Sequence, residues 1–381
     1  NGALRQSSRQ RKELTMKFVL TGGGTAGHIN PALALAEILQ ECDHEVFFAG
    51  TPQGVEARLV GQTDIPFVAF EASGFDRERP HTLVTSSLKI LRSARKAKAW
   101  MREVRPDAVV GFGGYVSIPV GMAAEQLNVP VVVHEQNSVM GMANKFLGKK
   151  AVAVALTYEV AGKDIADASK LIVTGNPVRS SVLSATREQG REMLGIPQDA
   201  TMLLVFGGSL GARHINAAIS SLKKQLLAID GLYVVHITGP KATCAELALT
   251  DEEASRWTVM PYQDRMAETL RAADCTISRA GATSLAEISA LGLPALLVPF
   301  PYAAEDHQTT NARAYVERGA AEMMADSELD SEEFANKVLA LATDADLRNR
   351  MRAAAATFET ENAAAKLADV VVDAAMRGAL R

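Results

Sequence analysis

The chain contains no run of the roughly 18 apolar residues that a membrane-spanning helix needs, so nothing in it reads as a span. Cysteine is scarce. Cys42, Cys244 and Cys275 lie far apart and form no C-x-x-C pair. That excludes a disulfide framework and fits a reduced cytosolic protein whose thiols serve as small buried hydrophobes. Excess positive charge is also missing: the net charge is -4 and the pI is near 6.0. A whole-surface nucleic-acid binder is thereby excluded and no nucleic-acid partner is expected, although local basic patches remain open. Residues 1–15, NGALRQSSRQRKELT, lack the apolar segment of a signal peptide. They read as a disordered leader, a cloning scar or a mis-called start. His134 and His307 have no nearby Cys or carboxylate at metal-ligand spacing, so neither a metal nor a cofactor is expected.

What is present is a soluble α/β pattern, 48% hydrophobic and 22% charged. At roughly 150 residues per domain, 381 residues suggest two domains. MKFVLTGGG, HEVFFAGTPQG, PDAVVGFGG, VPVVVHEQN, AVAVAL and LIVTGNPV are short Val/Ile-rich strands separated by helical patterns. Unbroken apolar strands of this kind belong in a parallel sheet covered on both faces. The pattern restarts after Pro177 with TMLLVFGGSLGARHINAAISSLKK, then LYVVHITG, ASRWTVMPYQ, DCTISRAG and LPALLVPF. The expected architecture is two Rossmann-like α/β domains. Periodicity lapses around GNPVRSSVLSATREQG, the candidate linker, and the chain ends in an Ala-rich helix from Asn362 to Arg381.

The glycine loops carry the chemistry. In LTGGGTAGHINP, Gly22, Gly24 and Gly27 fit the G-x-G-x-x-G spacing of dinucleotide sites. Such sites also need an acid at the end of the second strand for the ribose hydroxyls. EVFFAGT ends in Ala49-Gly50-Thr51, and Glu45 stands at the wrong end. A dehydrogenase is therefore disfavoured. The loop still exposes backbone N–H groups at a helix's positive end, which suits a phosphate. A second loop, Gly207 to Ala212, adds Ser209, and a third, Gly111 to Tyr115, ends its own strand. Glycine turns of this kind serve phosphates or simply tight strand-to-helix packing, and three at strand C-termini would face one crevice. In SRAGATSLAE, Ser284 and Glu287 form either a capping box or a sugar and ribose contact. PFPYAAEDHQTTNA offers His307, Gln308 and Asn311, neutral groups suited to sugar hydroxyls. Asp344-Ala345-Asp346 matches the D-x-D of some sugar transferases, but its context reads as a helix cap.

Taken in order, GGGTAGH, GFGGY, HEQN, GNPVR, GGSLGA, SRAGATSLAE and HQTTNA resemble the MurG family of peptidoglycan glycosyltransferases from about Met16 to the C-terminus. The resemblance implies a GT-B fold, two Rossmann-like domains with parallel sheets facing a central cleft. The N-terminal, acceptor- and membrane-facing domain would span 16–178 plus 360–381, and the UDP-GlcNAc-binding domain 179–359. It implies transfer of GlcNAc from UDP-GlcNAc to lipid I (undecaprenyl-pyrophosphoryl-MurNAc-pentapeptide), giving lipid II. Residue by residue, Ser209 would contact the diphosphate and Arg179 would help hold the nucleotide. Tyr262 and the backbone of Gln263 would recognise uracil. Ala282, Thr283, Ser284, Leu285, Ala286 and Glu287 would line the diphosphate, sugar and ribose, with Glu287 on the ribose. Gln308 would read GlcNAc hydroxyls and Asn137 would reach the sugar from the other domain. Thr25, Ala26 and Gly27 would meet donor and acceptor. Relatives carry Gly at Ala26 and Gln at Leu210 and His307, of which His307 could alter hydrogen bonding to the sugar.

The expected reaction is direct displacement at the anomeric carbon by the C4 hydroxyl of MurNAc, with inversion. It needs a base and electrostatic stabilisation of the leaving UDP. His28 is the candidate base, a residue type that titrates in the neutral range; a structural or phosphate-binding role is its alternative. Glu135 is the second candidate. Residues 89–105 hold seven basic residues against Glu103, with Ile90, Ala94, Ala97, Met101 and Val104 as an apolar stripe and Trp100 at its edge. This is either a solvated helix or, with Leu83 and Val84, a contact with an anionic membrane surface. The latter would place the protein peripherally on the cytoplasmic face of the plasma (inner) membrane. Alternatives are a 2-epimerase, a transferase with a soluble acceptor, or a non-catalytic nucleotide-sugar-binding protein.

Overall fold

The computed structural model describes residues 15–72, 81–208, 211–240, 247–358 and 362–379, with side chains from Leu88 onward in the second of these stretches. The expected leader, and also Leu83, Val84, Ser209, Leu210 and Cys244 as side chains, lie outside the described residues. The chain divides into two compact units, Asn1–Arg179 with Asn362–Arg381, and Ser180–Glu361.

The first unit is built on seven strands: β1 (Lys17–Thr21), β2 (Glu45–Gly50), β3 (Phe67–Ala69), β4 (Ala108–Gly111), β5 (Val131–Glu135), β6 (Ala153–Leu156) and β7 (Leu171–Val173). Their order is β3-β2-β1-β4-β5-β6-β7 and every pairing is parallel. Strand residues alternate between faces. Phe18 and Leu20 of β1 pack with Leu33 and Leu39 of the helix Ala26–Glu41, while Val19 packs on the other face with Val120 and Met101. Both faces are covered, which is why the strands read as continuous apolar runs. The C-terminal helix Ala363–Ala379 lays Leu367, Val371 and Ala375 into the same core as Phe18 and Leu33. Each such aliphatic side chain contributes about 1.5–3 kcal/mol by burial.

The second unit has six strands: β8 (Thr201–Phe206), β9 (Leu232–Ile237), β10 (Trp257–Met260), β11 (Cys275–Ser278), β12 (Ala295–Leu297) and β13 (Ala321–Met323). The order β10-β9-β8-β11-β12-β13 is again all parallel and repeats the winding of the first unit. In each sheet the strand order reverses at the first strand of the unit, between β1 and β4 and between β8 and β11. Ligands of open α/β sheets bind beyond the strand C-termini at that reversal. The loops following β1, β4, β8 and β11 all carry glycine.

Two expectations need correction. Cys42 is exposed at the end of its helix, so burial holds for Cys275 and not for it. The helix Ala282–Ala290 begins at Ala282 with Gly281 as its N-cap, which places Ser284 and Glu287 inside the helix. They form no capping box. Asp344 does cap the helix Ala345–Ala355, its Oδ1 accepting the Leu347 N–H at 2.9 Å.

Candidate functional site

In the first unit, the loops after β1 and β4 are pressed together. The Gly23 N–H donates to Gly113 O at 3.2 Å. Gly114 has φ +81°, and a Cβ there would fall 2.5 Å from Gly23 O. Only glycine permits both the conformation and the approach. Beneath the first loop, Glu56 is fully buried. Its Oε2 accepts from Gly24 N at 3.2 Å, and its Oε1 from Thr51 N at 3.0 Å and Thr51 Oγ1 at 2.5 Å. Thr25 is the exposed N-cap of Ala26–Glu41, makes no side-chain cap bond, and leads into partly exposed Ala26 and Gly27. The helix has no acid in its first turn. The positive end of its dipole therefore suits an anion.

His28 sits one turn into that helix, half-buried, with Nδ1 2.7 Å from Gly23 O. A carbonyl only accepts, so Nδ1 carries the hydrogen and the neutral ring keeps its lone pair on Nε2. Nε2 lies against Gly113, where a Cβ would come within 3.2 Å of it. This is the tautomer a proton acceptor needs. Glu135 is arranged differently. It is buried, and four donors occupy its two oxygens: Asn137 N at 3.0 Å and Asn137 Nδ2 at 3.4 Å on Oε1, and Gly141 N at 2.9 Å and Asn144 Nδ2 at 2.8 Å on Oε2. Such a carboxylate shapes the HEQN turn and presents Asn137, which is partly exposed. His134 is wholly buried; Nε2–H donates to Gly175 O at 3.0 Å and Nδ1 faces the Gln136 amide at 3.0 Å. Burial pushes its pKa down to about 4. Arg179, at the end of GNPVR, pairs through Nε with Glu37 Oε1 at 3.0 Å.

In the second unit, Ala282, Leu285 and Ala286 turn their side chains into the core. Their expected contacts are thus confined to backbone, and Thr283, Ser284 and Glu287 are the partly exposed side chains of that stretch. Gln308 uses its Oε1 to bind Ala280 N at 3.1 Å and Phe300 N at 2.9 Å, joining the turns after β11 and β12 and leaving its amide N–H₂ as the group for a ligand. Just before it, Glu305 and Asp306 both have φ near +50°, two consecutive left-handed non-glycine residues. Conformations of this kind cost about 1 kcal/mol or more each and gather at functional loops. His307 is tied by Nδ1 to Ala304 O at 2.8 Å, and buried Asn311 donates to Ala280 O at 3.4 Å. Tyr262 is exposed beyond β10, and Gln263 Oε1 accepts the Arg265 N–H at 3.0 Å. Ser209 lies outside the described residues.

Residues 18–156 match the glycosyltransferase family 28 N-terminal domain and residues 202–368 its C-terminal domain. The UDP-N-acetylglucosamine--N-acetylmuramyl-(pentapeptide) pyrophosphoryl-undecaprenol N-acetylglucosamine transferase of Acetivibrio thermocellus is 35% identical over 361 residues, covering 94% of this chain and 98% of that protein. The chain belongs to the MurG family within glycosyltransferase family 28. Another MurG-family relative, the identically named protein of Leuconostoc mesenteroides, is 39% identical over 91% of this chain and 94% of its own. The crystal structure of Acinetobacter baumannii MurG matches with a TM-score of 0.70 at 30% identity, covering 94% of this chain and 99% of that one.

Glu56 and Asp326 are the polar residues that sequence reasoning missed. Glu56 is the sole acid in an otherwise unremarkable GVEARLV, where it reads as the first turn of a short helix. The glycines at 50 and 54 that crowd it were the available signal. Asp326 sits on a turn after β13, remote in sequence from everything it touches.

Proposed function

We propose that this chain transfers GlcNAc from UDP-GlcNAc to the C4 hydroxyl of MurNAc in undecaprenyl-pyrophosphoryl-MurNAc-pentapeptide, inverting the anomeric centre. The observation that carries the reading is family membership over nearly the whole chain, with both domains of the family matched. The acid-free helix N-terminus at Thr25, Ala26 and Gly27 supports pyrophosphate binding on the acceptor side. His28 supports proton removal from the attacking hydroxyl through Nε2. Glu135 then serves as scaffold for Asn137 rather than as the base. Donor binding draws on Arg179, Ser209, Tyr262, the backbone of Gln263, residues Ala282 to Glu287, and Gln308. Bound UDP leaves as an anion stabilised by helix N-termini and backbone donors.

The acceptor is lipid-linked, so the enzyme works at the cytoplasmic face of the inner membrane as a peripheral protein. No described helix is long and apolar enough to cross a membrane. The helix His81–Val104 supports the contact. Ala94, Ala97 and Met101 are buried, while Leu88 and Leu91 stand exposed among exposed Lys89, Arg92, Arg95 and Lys96. The test incubates the protein with UDP-GlcNAc and a lipid I analogue. The expected result is a disaccharide-bearing lipid, with UDP released only when acceptor is present. UDP release with epimerised sugar in the absence of acceptor overturns it in favour of an epimerase.

A further inference from the structure

The second unit contains a charged bridge outside the residues assigned to ligand contact. Asp326, on the turn following β13, is mostly buried between Arg279 and His214. On one side Arg279 Nη1 lies 2.6 Å from Asp326 Oδ1. On the other, His214 Nδ1 lies 2.8 Å from Asp326 Oδ2. Arg279 directly follows β11 and stands three residues before the start of the helix Ala282–Ala290. Its Nη1 also donates to Val298 O at 3.3 Å and Pro299 O at 3.1 Å, gripping the turn after β12. His214 occupies the first turn of the helix Arg213–Ser221, immediately after the glycine loop that follows β8. One carboxylate therefore joins the first turn of the helix Arg213–Ser221 to the turn after β11.

We propose that Asp326 is a positioning residue for the nucleotide-sugar: by holding His214 and Arg279 it fixes the spacing between the N-termini of the helices Arg213–Ser221 and Ala282–Ala290. This rests on the reading that UDP-GlcNAc binds at these helix N-termini. A diphosphate spanning two sets of backbone N–H groups needs them at a set separation, and misplacement weakens every bond at once. The groups facing His214 are Asp326 and Asp330, the latter 3.2 Å from Nε2, with Arg279 across Asp326. Hydrogen bonding to Asp326 chiefly, and to Asp330, raises the His214 pKa above its ordinary value. The doubly bonded imidazolium is present at low pH and is lost as pH rises through that raised value. Donor affinity consequently declines across the same interval.

The test measures UDP binding and steady-state kinetics on the full chain. Asp326→Asn keeps the side chain's size and removes its charge. It is expected to raise the Kd for UDP and the KM for UDP-GlcNAc about tenfold, the scale of a charge-assisted hydrogen bond. The acceptor KM should stay within about twofold, since the proposed acceptor contacts lie in the first unit. Should that variant fold poorly, His214→Asn alters a partly exposed position and leaves the Arg279–Asp326 pair in place. It is expected to abolish the rise in donor KM predicted for the wild type as pH climbs through the raised His214 pKa. Unchanged donor KM in folded Asp326→Asn, or an unaltered pH profile in His214→Asn, overturns the proposal while leaving the donor reading intact. Failure of the wild type to bind UDP overturns both.

Discussion

Glu56 lies fully buried beneath Gly24 and accepts that glycine's N–H while its other oxygen holds Thr51. The loop after β1 is thus braced from below by a carboxylate and from the side by Gly114 of the neighbouring loop. His28, bonded to Gly23 O, inherits its orientation from both. Replacing Glu56 with Gln puts an N–H₂ group where a backbone N–H already points, leaving a buried donor unmet at about 1–3 kcal/mol. The expected outcome is a kcat reduced about ten- to a hundredfold with the donor KM little changed, because the damage is on the acceptor side. Kinetics with each substrate varied in turn, beside a thermal melt, check it. An unchanged kcat in the folded variant would contradict this placement.

The His28 assignment makes a separate demand. Removing a positioned general base costs about 10²- to 10⁴-fold in rate. His28→Ala should fall in that range on a lipid I analogue with UDP affinity retained, since His28 is not among the residues proposed to hold the donor. Nearly intact turnover would return His28 to a structural role. Glu135→Gln is expected to act differently: it replaces one of two accepting oxygens, and with it two of the four bonds at the HEQN turn, and so should lower stability as well as activity.

Much of this was legible along the chain because parallel strands buried on both faces are written as apolar runs, and each strand-to-helix turn at the reversal needs glycine. The basic helix was equally plain: Ala94, Ala97 and Met101 face inward as their spacing requires. The misreadings share one cause. Ser284 and Glu287 have capping-box spacing, but the N-cap falls three residues earlier, at Gly281, which already supplies the extended cap conformation. Cys42 has a buried residue type and an exposed position, since its helix ends there. Glu56 and Asp326 escaped because their partners are brought near by sheet order, which local spacing does not encode. The Arg279–Asp326 pair joins residues on different strands' exits, and Glu56 reaches Gly24 from beyond β2.

Among the described residues, each unit buries one neutral histidine, and that sets a pH dependence. His134 in the first unit and His236 in the second are both pushed down to about 4 by burial. The unfolded chain protonates them near 6.5. Above that pH the two states bind the same number of protons and the stability is fully present. As pH falls from 6.5 toward 4, the unfolded state takes up protons first, and stability drops by about 1.4 kcal/mol per pH unit for each histidine. At pH near 5 the loss is roughly 2 kcal/mol per site. Urea unfolding at several pH values should show this slope, and His236→Gln should flatten the part belonging to the second unit. A midpoint insensitive to pH over that interval would refute it.

Membrane association should depend on the outward face of His81–Val104. Arg92 and Lys96 are exposed one turn apart, next to exposed Leu88 and Leu91. A basic residue near an anionic surface contributes about 1 kcal/mol, so reversing two of them removes attraction and adds repulsion. The double variant Arg92→Glu, Lys96→Glu is expected to bind phosphatidylglycerol-containing vesicles at least about a hundredfold more weakly than wild type. Binding to neutral vesicles, which rests on apolar contact, should change far less. Turnover of a short-chain, water-soluble acceptor analogue should be preserved, because these residues lie on the helix that precedes β4 and not on the glycine loops. Vesicle sedimentation across a salt series separates the electrostatic part, which salt screens, from the contribution of Leu88 and Leu91, which it does not. Equal partitioning of variant and wild type onto anionic vesicles would move the membrane contact elsewhere on the surface.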